Sequence, residues 1–262
     1  MFNSMFKQTL YTKRWMTISW SAGIAFMTGF TMVFFPTFKK VGQSFQDVPD
    51  SLKSFLGDAS AYSSIEGYTD LQIFSQLPFM LIIMAIVMFT GLIAGDESSG
   101  VLQSLLAQPV KRSKVFFEKL FAGITIMGVA CFSMLVGVII GMLIVGEKMS
   151  VDRMLLATLA SLLISLVFGV MGFALGAISG KRGFAGGVAG VLAFASMLIS
   201  SLAEGVKSLR FADKFSPFHY FNKPGIMQNG INWSHVAILT MIIIVLVVVS
   251  WFRFIKRDVY QQ

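Results

Sequence analysis

What this chain of 262 residues lacks is most telling inside its apolar runs. Six of them, 17–35, 71–94, 120–145, 154–179, 184–203 and 233–252, hold no Asp, Glu, Lys or Arg. Ion-coupled carriers keep such groups within the membrane, because coupling needs a side chain that changes charge or binds an ion. Their absence argues against such a carrier, although sites built from carbonyls alone stay open. Cys131 is the only cysteine, so no intrachain disulfide or cysteine metal cluster can form. His219 and His235 are the only histidines, and no carboxylate-rich ligand set is evident beside them, so no metal is expected. The phosphate-loop pattern GxxxxGK[ST] is missing: Arg182 follows Gly180-Lys181, and Leu175 stands where the first glycine belongs. HExxH and GxSxG are missing too, leaving no catalytic residue to name. The chain is not expected to hydrolyse ATP by itself or to bind a cofactor.

What is present is apolar. Hydrophobic residues make up 55% and charged residues 13%, against about a quarter charged in soluble domains. Each run is long enough to cross a bilayer as a helix, which takes about 20 residues. The fold class is therefore an all-α membrane protein with six transmembrane helices in a single domain spanning 1–262. Placing both termini in the cytoplasm puts twelve of the 21 basic residues and four acids on the inner side. The remaining nine bases and nine acids cancel outside, so the whole net charge of +8 lies within. That charge suits topology and anionic headgroups rather than nucleic acid. The first run is too long for a signal-peptide core, and FFPTFKK after it lacks a small-residue cleavage pattern, so it reads as a retained helix.

Between the runs lie weaker signals. Residues 1–16 place Phe2, Phe6 and Leu10 at helical spacing beside Lys7, Lys13 and Arg14, as in an amphipathic interfacial helix. Extracellular segments are expected at 36–70 and 204–232, the first with one or two short surface helices around Leu52, Phe55 and Leu56. GEKMSVDR joins the third and fourth runs in a tight hairpin. Gly172, Gly176, Gly180, Gly183 and Gly187 form overlapping four-residue patterns that suit helix packing or a dimer seam. No internal repeat marks an inverted-repeat transporter.

The stretch that looks like machinery is GDESSGVLQSLLAQPVKRSK, Gly95 to Lys114, within a cytoplasmic loop spanning 95–118. Asp96 or Ser98 can cap a helix, and Asp96 and Glu97 suit its positive end. Val101, Leu102, Leu105 and Leu106 fall on one face, and Pro109 favours a stop just before it. Val110, Lys111, Arg112 and Lys114 follow. A short amphipathic helix of this kind either fills a groove on another protein or lies on lipid.

LLAQPVKRSKVFFEK resembles the signature of permeases of type-2 ABC exporters, whose loose pattern is E…G…L-L-x-x-P-V-x-R…K. The matching residues are Glu97, Gly100, Leu105, Leu106, Pro109, Val110, Arg112 and Lys119. Ser216-Pro217-Phe218 with Tyr220 and Phe221 resembles that family's outer segment before the last span, and Arg257-Asp258 its short tail. The resemblance implies a multi-pass permease of a prokaryotic plasma membrane that pairs with a second permease, a copy or a paralogue. Two cytoplasmic ABC ATPase subunits would carry the ATP and Mg2+. In it the loop serves as a coupling helix: Val101, Leu102, Leu105 and Leu106 dock the ATPase, and Asp96, Glu97, Lys111 and Arg112 anchor it. Export of a drug-like, peptide or lipid cargo is implied. A self-contained carrier or channel, and a non-transporting scaffold or sensor, are the alternatives. No residue identifies a substrate.

Overall fold

The structure, a computed structural model, describes residues 4–44, 59–106, 110–203, 205–221 and 225–257. Six helices in it are long and apolar enough to cross a membrane, and no strand occurs among the described residues. The first, α1 (Met5–Val33), is one unbroken helix. Ser4 caps it by accepting a hydrogen bond from the Phe6 amide at 3.2 Å. The separate interfacial helix expected over 1–16 is therefore not a distinct element. No glycine or proline lies between Met5 and Ala22 to interrupt the chain, and 29 residues extend about 44 Å, more than a bilayer core.

A short α2 (Phe35–Ser44) follows, with Pro36 tolerated in its first turn. Phe35, Phe38, Tyr62 and Tyr68 cluster beneath it, and the Tyr68 hydroxyl donates to the Thr31 carbonyl at 2.6 Å. The surface helix expected around Leu52, Phe55 and Leu56 lies outside the described residues. Next comes α3 (Ile65–Ser98), the most buried of the six, with π-helical stretches at Asp70–Phe74 and Gly91–Gly95. Gly100, at φ +73, separates it from α4 (Val101–Leu106). Then α5 (Arg112–Val145) and α6 (Val151–Ser179) form the hairpin, each closed by a left-handed glycine, Gly146 and Gly180. After α7 (Arg182–Leu202) come two short helices, α8 (Arg210–Asp213) and α9 (Ile226–Asn229), and finally α10 (Trp233–Lys256). The helices outrun the apolar runs at several ends. Asp70 and Lys119, just outside the charge-free runs, consequently lie within long helices and are buried.

Glycines set the closest packing. α1 and α5 run parallel and touch along their length, from the Ser4–Glu118 hydrogen bond at one end to Met32 against Gly141 near the other. A Cβ on Gly137 would overlap the Thr28 hydroxyl and the Ala25 carbonyl oxygen. Small residues let helix backbones meet this closely in lipid. At the centre, Phe89 of α3 fills the space left by Gly123 of α5 and Gly169 of α6.

The contacts also order the ends. Ser4 and the Phe6 amide bond Glu118, and Arg112 donates to the carbonyls of Ile255 and Arg257. The start of α1 and the end of α10 thus share one end of the bundle, here termed the inner end. At the opposite end, Asp70 accepts from the amides of Met227 and Gln228 at 3.1 and 3.3 Å. Arg153 donates to the carbonyls of the same two residues at 2.8 and 3.0 Å. The short α9 is held by a carboxylate on its amides and a guanidinium on its carbonyls, charges that each complement the helix dipole.

Candidate functional site

The last turn of α3, where the 95–118 segment begins, is tied into the bundle by its acidic residues. The Asp96 carboxylate pairs with Lys119 of α5, and the same ammonium donates to the Leu92 carbonyl at 2.7 Å. The Lys119 side chain is only 3% exposed. A cation so placed requires compensating partners, since burial of an unpaired charge costs several kcal/mol (about 3–5 when one partner of a buried pair is lost). The Glu97 carboxylate pairs with Arg257, just beyond α10, and Arg257 also donates to the Ala177 carbonyl near the end of α6 at 2.8 Å. Gly180 makes room for this pair. A Cβ there would stand 2.6 Å from Arg257 Nη2 and 2.7 Å from Glu97 Oε1, and its φ of +71 favours glycine independently. Two adjacent residues at the end of α3 thereby reach α5, α6 and the end of α10.

Asp96, Glu97 and Arg112, expected as polar anchors for a partner, have partners within the chain itself. Both carboxylates are engaged within the chain, and Arg112 spends its guanidinium on carbonyls at the end of α10. Leu102, expected on the docking face, is fully buried in the protein's own core. Its neighbour Val101 is 45% exposed, so α4 sits on the bundle through Leu102 and presents Val101. Val110 packs partly buried against the core, and Lys111 is exposed. The side chains of Leu105 and Leu106 and the whole of Pro109 lie outside the described residues. Gly91 and Gly95, at the two ends of the second π-helical stretch of α3, pack against the side chain of Arg182, with a Cβ at either standing 3.6–3.7 Å from it.

The five glycines expected to serve helix packing or a dimer seam divide into separate groups. Gly172 and Gly176 of α6 face Thr90 and Ala94 of α3 and Ala189 and Ala185 of α7, which is packing inside the bundle. Gly180 accommodates the Glu97–Arg257 pair. Gly183 and Gly187 have nothing within 4 Å of an added Cβ and leave one side of α7 open. Gly137 and Gly141 were not among the glycines expected at a seam, yet they show the same four-residue spacing and make the closest helix contact. Ser216 of the Ser-Pro-Phe motif caps the 3-10 turn Pro217–Tyr220 through the Phe218 amide and donates to the Ser196 carbonyl of α7 at 3.0 Å. The motif thus fastens the segment before α10 to α7.

A sequence model of the family described as "ABC-2 family transporter protein" matches residues 6–259. The chain belongs to the ABC-2 transporter family. No curated relative matches it at a significant level. As an ABC-2 permease it is a multi-pass membrane subunit of an ABC transporter. Membership also implies an ABC ATPase subunit as partner. The residues joining the loop to the end of the chain, Glu97 and Arg257, stand 160 positions apart. No spacing rule within one sequence could have paired them.

Proposed function

We propose that this ABC-2 permease is the membrane half of an ATP-driven exporter, and that the loop from Gly95 to Glu118 receives the stroke of the ATPase. The observation that carries the reading is the double attachment of that loop, through Asp96 to Lys119 and through Glu97 to Arg257 and α6. A rigidly joined loop passes displacement on to α5, α6 and α10, whereas a loosely tethered one would absorb it. Val101 supplies an exposed apolar anchor, and Leu105 and Leu106 complete the docking face on sequence grounds. Lys111 lies beside them as a cation for the partner or for headgroups. Two permeases and two ATPase subunits make the working unit, with ATP and Mg2+ held by the ATPase. The inner end faces the cytoplasm of a prokaryotic cell, as its basic excess favours. The cargo is amphiphilic, in keeping with spans whose charge-free runs offer no ionic site.

The test is copurification of the ATPase with tagged permease carrying Val101→Asp or Leu105→Asp. Placing an unpaired charge on an apolar anchor should cost several kcal/mol of docking energy, on the order of a hundredfold or more in affinity. Loss of the ATPase with membrane insertion unchanged is the expected result. Full assembly in both variants would refute this docking site.

A further inference from the structure

The two histidines of this chain, 16 positions apart, belong to different elements: His219 to the 3-10 turn Pro217–Tyr220 and His235 to the first turn of α10. The fold brings their rings to 6.3 Å between centroids. It also brings a carboxylate that the sequence did not place beside them. Asp213 Oδ2 lies 2.6 Å from His219 Nδ1, with the Asp213 side chain 9% exposed and that of His219 33% exposed. A carboxylate only accepts hydrogen bonds when ionised, so it favours the tautomer with the proton on Nδ1 and the lone pair on Nε2. Metal-binding histidines are commonly oriented in this way. Tyr220 stands edge-to-face against both imidazoles at 4.9 and 5.3 Å, and its hydroxyl is fixed on the Lys214 carbonyl at 2.8 Å. The His235 ring makes no hydrogen bond with the described residues, and beside it a cavity of about 10 Å³, lined also by Tyr220 and Asn232, has room for one water.

We propose that His219 and His235 form a two-imidazole site for a divalent transition-metal ion of the Zn2+ or Cu2+ class. Asp213 orients His219 from behind, and water completes the coordination. The spacing fits. With metal–nitrogen bonds of about 2.0–2.1 Å, two imidazole centroids on one ion stand about 5 Å apart at a tetrahedral angle and about 6.3 Å apart when opposed. The observed 6.3 Å exceeds the tetrahedral value, so His235 swings inward by about 1 Å to share an ion with His219. Among the described residues no group of three or more His, Cys, Asp or Glu is arranged to hold a metal. The site therefore has two protein ligands and open positions, and it binds by imidazole rather than by a carboxylate cage. A bound ion staples the outer segment to α10. This inference does not depend on the exporter reading.

The experiment uses the full-length permease, purified with a tag that contains no histidine, in detergent or nanodiscs. Zn2+ and Cu2+ are titrated against a chromophoric chelator, with Mg2+ as control, and the thermal midpoint is followed with and without Zn2+. Wild type should bind Zn2+ or Cu2+ but not Mg2+, and Zn2+ should raise its midpoint. His219→Ala and His235→Ala should each weaken binding at least about tenfold and abolish the midpoint shift, and Asp213→Asn should weaken it about 10- to 100-fold. If Asp213→Asn lowers the metal-free midpoint, His235→Ala becomes the deciding variant, because it removes a ring that makes no hydrogen bond with the described residues. Equal Zn2+ affinity and midpoint shift in wild type and His235→Ala would overturn the proposal, as would no binding by wild type.

Discussion

The Asp96–Lys119 pair offers a test in which the two partners should respond unequally. Lys119 is 3% exposed and Asp96 34%. Asp96→Ala leaves a buried ammonium with the Leu92 carbonyl as its remaining partner, because water does not reach it freely. Breaking a buried pair from this side costs about 3–5 kcal/mol, and the exposure of Asp96 places the value near the lower end, about 3. Lys119→Met removes the buried charge and keeps much of the side-chain volume, while the exposed carboxylate recovers water. Its cost should be about 1 kcal/mol. The double variant then lies close to Lys119→Met, and the cycle yields a coupling energy of about 3 kcal/mol. The assay is reversible unfolding of purified protein in mixed micelles for all four members of the cycle. Equal costs for the two single variants, or costs that add within about 0.5 kcal/mol, would refute the reasoning.

Other consequences follow from the same contacts. Gly137→Ala places a methyl group on the Ala25 carbonyl and should destabilise by about 1–3 kcal/mol by forcing α1 from α5. Gly187→Ala, with open space around it, should leave the unfolding midpoint of the monomeric unit within error. Equal effects of the two would disprove the α1–α5 contact. Arg153→Ala removes two hydrogen bonds from the carbonyls of α9 and should hasten protease cleavage within 205–232 without touching the inner loop, as limited digestion of vesicles would reveal. Unaltered cleavage would mean that α9 is held by its other contacts.

The six spans were legible because a bilayer imposes a length and a polarity that a single sequence displays openly. The helix ends were less so. The expected spans began at Leu71 and Leu120, whereas the helices begin at Ile65 and Arg112, because backbone bonding continues through the polar residues ahead of each apolar run, in the first case through Gly67 back to the Ser64 cap. The loop signature placed the candidate site between the second and third spans, but its polar residues were assigned by type. Asp96 and Glu97 look like surface charges in sequence and serve as struts in the fold. Their cations, Lys119 and Arg257, come from other parts of the chain, and only the assembled bundle brings them near.

The sequence alone thus determined that the chain crosses the membrane six times and carries a family signature in one loop, since both depend on composition and local order. Tertiary structure decided which charges meet, which glycines are in contact and that two histidines from different elements converge beside one carboxylate. Those relations join residues separated by up to 160 positions. They arise from the packing angles and depths of long helices, which no local pattern specifies.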